Sequence, residues 1–587
     1  MRSGLFALAS LDGAPLGDDE AGVLGLTGEQ GARAEGLAVR AHDGEEEGRA
    51  AHVARRGDDL VAFLGHLNEP GDLAAALGMR PDAPPTELAL AALDRFGAEA
   101  PLRMLGEWSL LRWRGAERSL TVMMSEACRD PLYFATDGRR VAVAPEIRRL
   151  ARLDWVDDGF DPAGLALQLS RARLRRIMTT ETFLSGVSRV APGSSETFGP
   201  ARATSSLPPQ PAQEPWTGSF EGAVETIEDL LRRIVGQHLG RHRRVASLLS
   251  GGLDSSLLAW LAAETRGKGQ ELTFLTSVAP EGSGIPDQLG FARTVSDHLG
   301  LDIIPVCPPP DASVYIPTAR AFEHGELPVA SPRHYLYGAL YDAAADLGAD
   351  VLLDGVYGEL TITNRLPLAP ARMTPRHALR ELRTLLFPAQ PQRRWPAEAF
   401  HARLSKAALA GLPSAWSKAW RAPYRPAPPP RVDRPWGYLP AVGKNVMTPT
   451  SAFGAGLRHL QPYRDRRLIR LMASMPAAFM QHDGLNRALA RAILKGRLPD
   501  SISLRRSGGP FSPDFDLRLR TQTSDVLDRM SDFRHSGAGD WLDLAWLAEA
   551  MTRMREGRPM TRDEPFQAQA TATAAAFFVW WKARKRS

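Results

Sequence analysis

Val245-Ala246-Ser247-Leu248-Leu249-Ser250-Gly251-Gly252-Leu253-Asp254-Ser255-Ser256-Leu257-Leu258-Ala259-Trp260-Leu261 is the stretch on which the fold turns. Val245–Leu249 is a short apolar run of the kind that forms a buried strand, and Leu257–Leu261 continues as an apolar helical run. Between them lie a glycine turn and a helix start. Two adjacent glycines let the backbone approach an oxyanion with no Cβ in the way. The helix start adds unpaired N–H donors and the positive end of its dipole, suited to a phosphate or pyrophosphate. Leu249, Ser250, Gly251, Gly252, Asp254, Ser255 and Ser256 are therefore candidate ATP contacts, and Asp254 is a candidate Mg²⁺ ligand. A plain turn with a Ser/Asp cap is the competing reading. No Lys follows the glycines, so the Walker pattern is excluded.

Working outward, short apolar runs recur at Leu272–Leu275, Ile303–Val306 and Val351–Leu353, with helical patterns at Leu289–Leu299 and Tyr335–Leu347. Such alternation predicts right-handed βαβ units and a mostly parallel sheet, an α/β fold. Upstream, residues 1–205 read as alternating β-type runs, among them Leu60–Leu64, Trp108–Trp113 and Leu120–Met124. Asp137-Gly138, between Leu132–Ala135 and Val141–Ala144, predicts a hairpin. The Pro/Ser/Gln-rich stretch Ser205–Pro215 places a linker over 206–217, and 218–587 forms a second unit. Downstream of about residue 365 the pattern is mainly helical. Its opening is basic: 14 Lys/Arg stand against three acids between Arg365 and Arg434, with Trp395, Trp416, Trp420 and Tyr424 interleaved. This insertion, about 365–440, is expected to be a solvated excursion or a docking surface for an extended partner.

Composition bounds the rest. The chain has 587 residues, 72 Lys+Arg against 67 Asp+Glu, and two cysteines. The small charge excess does not argue for nucleic acid. Cys128 and Cys307 cannot build a disulfide framework and fit a reducing compartment. The longest apolar stretch, Ala574–Trp581, is too short for a bilayer, and acids at Asp12, Asp18 and Asp19 spoil a signal peptide. A cytoplasmic protein without a membrane partner is expected.

At Ser250–Ser256 the chain resembles the PP-loop ATP pyrophosphatases, which cleave ATP between the α and β phosphates. The likeness extends to asparagine synthetases through Pro286-Asp287, His298-Leu299-Gly300, Glu326–Pro332 and Ala490–Arg505. The resemblance makes Val351–Leu360 the second phosphate-side element, with Asp354 and Gly355 as further nucleotide contacts. Aligned without gaps, Glu359 falls on the family's Mg²⁺-binding Asp and Val356 on its catalytic Glu. β-Lactam synthetases carry Tyr there, and a one-residue slip would let Tyr357 serve. The family's Lys after Arg505 is missing. Arg506 could replace its charge but not its geometry.

Gly65–Gly78, Leu105–Ser109, Arg129–Phe134 and Ala144–Ile147 resemble the glutaminase domain of the same enzymes, implying an α/β/β/α sandwich of the Ntn type. That family uses a Cys beside the initiator Met, whereas this chain has Arg2. Without a nucleophile there, glutamine hydrolysis has no chemistry to run on, and the domain is expected to serve as scaffold or docking surface.

ATP activation without an ammonia supply resembles β-lactam synthetases and, more closely, lasso-peptide macrolactam synthetases. The second resemblance rests on Asp354–Glu359, on Arg505–Asp514 and on the basic aromatic insertion. It implies adenylation of an Asp or Glu side chain in a ribosomally made, leader-cleaved precursor peptide, followed by attack of the peptide's N-terminal amine. A leader peptidase and a leader-recognition protein would be partners. The rivals are an ammonia-dependent asparagine synthetase, a PP-loop RNA-modifying enzyme and a non-catalytic relative. His324 and His334 are expected to be structural.

Overall fold

The computed structural model describes residues 4–27, 32–42, 50–128, 130–169, 181–200, 203–206, 214–323, 326–328, 331–364, 401–412, 457–482, 485–506 and 508–584. Arg2, Arg129, His324, Ser507, most of the linker, residues 365–400 and 413–440 of the insertion, and 441–456 after it lie outside them.

Two antiparallel sheets form the N-terminal part. Its strands are β1 (Gly4–Ser10), β2 (Ala32–Ala34), β3 (Leu37–His42), β4 (Ala50–Arg56), β5 (Asp59–Leu67), β6 (Gly106–Arg114), β7 (Ser119–Met124), β8 (Tyr133–Thr136), β9 (Arg140–Ala144), β10 (Ser188–Arg189), β11 (Ser195–Phe198) and β12 (Ala203–Ser206). One sheet runs β10-β8-β9-β1-β3-β2 and the other β12-β11-β7-β6-β5-β4. Side chains alternate across a strand. Leu5, Ala7 and Ala9 of β1 therefore meet Leu60, Ala62 and Leu64 of β5 between the sheets. On the outer faces, Phe6 and Leu8 join a helical core, and Val61 and Phe63 pack with residues of the helix Pro85–Phe96. The layers are helix, sheet, sheet, helix. The expected hairpin is present, with Tyr133 facing Ala144 and Thr136 facing Val141. The stretch GLFALAS is a fully buried strand, paired on one side with β3 and on the other with β9.

The second part is built on a parallel sheet of β13 (Arg244–Leu248), β14 (Glu271–Ser277), β15 (Ile303–Val306), β16 (Val351–Leu353) and β17 (Arg458–Leu460). Its order is β15-β14-β13-β16-β17, and every pairing is parallel. Helices cover both faces, as a sheet of this type requires. Val245 packs with the helices Phe220–Leu239 and Leu253–Thr265. Ala246 and Leu248 face the helix His334–Asp346 on the other side. After β13 the chain moves to β14 and β15, then returns to place β16 on β13's opposite flank. The crevice at the carboxyl ends of β13 and β16 is thus a topological switch point, where α/β sheets bind ligands.

An aromatic seam joins the two parts. Ala574–Trp581 lies in the helix Glu564–Arg584, and Phe577 and Trp581 pack edge-on against Phe183, at 5.2 and 4.9 Å between ring centres. Phe578 meets Phe160 at 5.3 Å. Among the described residues no helix is long and apolar enough to cross a membrane. The described piece of the insertion departs from a solvated excursion: Ala402, Leu404, Ala408 and Leu412 are buried in the core shared with the C-terminal helices. Lys406 and the nearby Arg403 mask that apolar spacing in a charge count.

Candidate functional site

The turn after β13 begins where Leu249 N–H donates to Leu275 O at 2.9 Å. Ser250 N–H then donates to Ser255 Oγ at 3.1 Å, and the two serine hydroxyls lie 3.1 Å apart, stitching the turn to the helix behind it. Gly251 sits at φ +66°, and a Cβ there would meet Phe291 Cβ at 2.5 Å and its backbone carbon at 2.7 Å. Only glycine suits that conformation and that space. Gly252 caps the helix Leu253–Thr265 with no side-chain hydrogen bond, leaving the first-turn donors to another partner.

The turn after β16 is pressed against this one. A Cβ on Gly355 would sit 3.3 Å from Ser255 N, and one on Gly358 would sit 2.1 Å from Asp254 Oδ1. Asp254 Oδ1 also accepts from Thr363 Oγ1, and Tyr463 Oη donates to its backbone carbonyl at 2.8 Å. Asp354 is buried, with Oδ2 3.0 Å from His459 Nε2 on β17 and Oδ1 accepting from Val356 N–H at 3.1 Å.

Between the turns lies a cavity of about 220 Å³ whose lining includes Leu249, Ser250, Gly252, Asp254, Ser255, Asp354, Gly355, Val356 and Glu359. Three carboxylates in so small a space repel one another. Glu359 shows the effect: enclosure by protein first, then the charge of Asp254, pushes its carboxyl up to about 7. Cavity solvent still reaches its surface. Among the described residues no group of three or more His, Cys, Asp or Glu is arranged as a metal cage. Mg²⁺ needs no such cage when phosphates supply most of its oxygens. Asp254 and Glu359 offer two hard oxygen ligands whose mutual repulsion a cation would relieve, so the residues present fit Mg²⁺ bound with a nucleotide.

Not every expected contact is in the cavity. Gly251 shapes the turn without lining the cavity, and Ser256 is fully buried beneath it. Tyr357 is also absent from the lining. At φ +76° it packs against the apolar core, with the Arg464 guanidinium 4.9 Å from its ring centre. The left-handed backbone turns Val356 inward and Tyr357 away, so the structure does not support Tyr357 as a reacting group. Arg506 is exposed and outside the lining. Its neighbour Arg505 reaches the loop instead, donating to Gly251 O at 2.9 Å, bonding Gln288 and stacking 3.6 Å over the Phe291 ring. Thr363, His459 and Tyr463 were missed by sequence reading, since each acts on a loop distant in the chain. His334 is structural as expected: it is buried, Nε2 lies 3.1 Å from Val314 O, and burial drives its pKa down to about 4.

Residues 226–581 match the family described as asparagine synthase. Among similar proteins, the amidase chry2 of Gibberella zeae is 26% identical over 233 residues, covering 37% of this chain and 34% of the relative. A Mycobacterium tuberculosis protein provisionally named a glutamine-hydrolysing asparagine synthetase is 31% identical over 207 residues, covering 33% of this chain and 30% of that one. The chain thus spans about a third of the length of these relatives. A solved glutamine phosphoribosylpyrophosphate amidotransferase from B. subtilis aligns over 53% of this chain and 61% of its own, at 10% identity and a TM-score of 0.23, too low to carry an argument. With the matched segment covering well over half its length and containing both turns of the cavity, the chain belongs to the asparagine synthase family.

Proposed function

We propose that the protein is an ATP-dependent, AMP-forming carbon–nitrogen ligase acting on a peptide. It adenylates an Asp or Glu side chain of a leader-cleaved, ribosomally made precursor and closes a macrolactam with the peptide's N-terminal amine. The observation that carries the ligase reading is the convergence of two glycine turns, Ser250–Ser256 and Asp354–Glu359, on one cavity at the sheet's switch point. Family membership supports amide chemistry. The choice of a peptide rests on the resemblance to lasso-peptide macrolactam synthetases. A leader peptidase and a leader-recognition protein would then act beside this chain, and no nucleic acid is required.

The chain's residues would work as follows. The amides and hydroxyls at Ser250–Ser255 bind the β and γ phosphates, positioned so that they meet the charge that grows on the leaving pyrophosphate. Asp254 and Glu359 would hold Mg²⁺, which when bound neutralises polyphosphate charge. Leu249 and Gly355 flank the nucleotide. The peptide carboxylate attacks the α-phosphorus, pyrophosphate departs, and the α-amine then displaces AMP from the acyl carbon. Holding both ends of one peptide in place contributes proximity worth up to about 7–11 kcal/mol. Water must be excluded to protect the adenylate.

The test is to incubate the protein with ATP, Mg²⁺ and a synthetic leader-free peptide, and to measure the peptide's mass. Loss of one water with AMP formation is expected. Formation of asparagine from aspartate and ammonium, with the peptide unchanged, would replace this reading by an ammonia-dependent asparagine synthetase.

A further inference from the structure

The cavity between the two turns holds a charge imbalance that the nucleotide alone would worsen. Asp254, Asp354 and Glu359 line it, and among the described lining residues the sole cationic side chain is Arg333. Arg333 directly precedes the helix His334–Asp346. Its Nε donates to Ser512 Oγ at 2.9 Å, and Ser512 is itself 1% exposed. The guanidinium carbon stands 5.8 Å from the Phe511 ring centre. Phe511 is tethered in turn, since its carbonyl accepts from Ser277 Oγ at the end of β14. The arginine is thus braced by a buried hydroxyl and an aromatic wall. Nearby arginines are not placed for this. Arg505 bonds Gly251 O and Gln288, and Arg506 is exposed outside the lining. Arg464, over the Tyr357 ring, and Arg487, whose charge reaches Glu359, are also outside it.

We propose that Arg333 receives the reacting carboxylate of the substrate and orients it towards the α-phosphorus, supplying the cation for which Arg506 is misplaced. The proposal deepens the ligase reading and rests on it. An anionic acceptor entering among three carboxylates needs a compensating charge, and a guanidinium fork suits a carboxylate better than an ammonium does. In the step concerned, a carboxylate oxygen forms a bond to the α-phosphorus. The bond from that phosphorus to the bridging oxygen breaks, and its electron pair leaves on pyrophosphate. The acceptor is already ionised, so no proton moves and Arg333 stays charged throughout. The site therefore selects a substrate that presents a free carboxylate rather than an ester or amide.

The test compares wild type with R333M, R333K and S512A. The carboxylates are L-aspartate and a synthetic peptide with a free amine and one internal Asp. Titration calorimetry with Mg·ATP gives nucleotide affinity, and ATP–pyrophosphate exchange gives rate and KM for the carboxylate. In R333M, nucleotide affinity should stay within about threefold while carboxylate-dependent exchange falls about a hundredfold, with a raised carboxylate KM. R333K, which keeps charge but loses the fork, and S512A, which frees the guanidinium, should each lose about tenfold. Should R333M fail to fold, R333K and S512A decide the matter by the same split. Exchange at the wild-type rate in the variants overturns the proposal. So does a loss of Mg·ATP affinity as large as the loss of exchange, which would make Arg333 a phosphate ligand. Wild type exchanging with neither carboxylate removes the ligase reading itself, and this inference with it.

Discussion

The turn after β13 and the turn after β16 each end a buried parallel strand and carry two glycines, and they place one and two carboxylates respectively in the same cavity, but they are held by different means. The first is local in its framework: Gly251 at φ +66°, serine hydroxyls bonded across five residues and a helix start with no side-chain cap, with Phe291 and Arg505 added from outside. The second is assembled from afar. Asp354 is fixed by His459, more than a hundred residues later, and Gly358 is a glycine because Asp254 from the first turn occupies the space its Cβ would need. A turn built locally can be recognised in one stretch of sequence. One built from distant parts can be located by its strand, while the direction of its side chains depends on residues elsewhere.

The contrast can be broken by substitution. Asp254 sits on the first turn and presses against Gly358 of the second, so D254N should have the largest effect, lowering ATP–pyrophosphate exchange about a thousandfold. Next come the two glycines. G251A forces a left-handed alanine onto a backbone carbon and should cost about 3 kcal/mol in denaturant unfolding. G358A meets the Asp254 side chain, Oδ1 at 2.1 Å, Cγ at 2.8 Å and Cβ at 3.0 Å, which can swing aside where a backbone carbon cannot. Its stability loss should therefore be smaller than that of G251A, while Mg·ATP affinity drops about tenfold. Equal stability losses in the two variants would erase the distinction. H459A should leave the buried Asp354 carboxylate without its imidazole and destabilise by about 2 kcal/mol, read by thermal unfolding.

A pH series sharpens the picture at Glu359, whose carboxyl is pushed up from its ordinary 4.5 to about 7 by enclosure and by the charge of Asp254. Because the folded value is raised, its contribution to stability is complete below about pH 4.5 and is lost as pH rises through about 7. Cation-assisted nucleotide binding needs the ionised form and runs the other way. Mg·ATP affinity should weaken by up to about tenfold per unit as pH falls beneath 7, and E359Q should flatten that slope in titration calorimetry. The smallest effect is expected at Tyr357, where Y357F should keep exchange within about twofold, since the ring lies outside the cavity beneath Arg464.

Legibility followed the same division. The strands Ile303–Val306 and Val351–Leu353 and the helix Leu289–Leu299 have the bounds their apolar runs imply, because buried parallel strands need continuous apolar residues. β17 escaped notice: Arg458-His459-Leu460 is polar and three residues long, and only its neighbour β16 makes it a strand. In the site, Asp254 and Glu359 were readable from one motif and one alignment, and they do face one cavity. Tyr357 and Arg506 came from the family resemblance, the first through a one-residue slip and the second as a stand-in for a missing Lys. Tyr357 lies at φ +76° outside the cavity, and Arg505 rather than Arg506 reaches the loop. Arg333 carried no signal, since its role comes from Ser512, far along the chain.

The central claim is that the nucleotide's polyphosphate sits on the first turn. A crystal structure of the protein with Mg²⁺ and α,β-methylene-ATP tests it most directly. The β and γ phosphates should lie against the amides and hydroxyls of Ser250–Ser255, with the cation between Asp254 and Glu359. Nucleotide bound elsewhere while that turn stays closed by its own serine contacts would contradict the account.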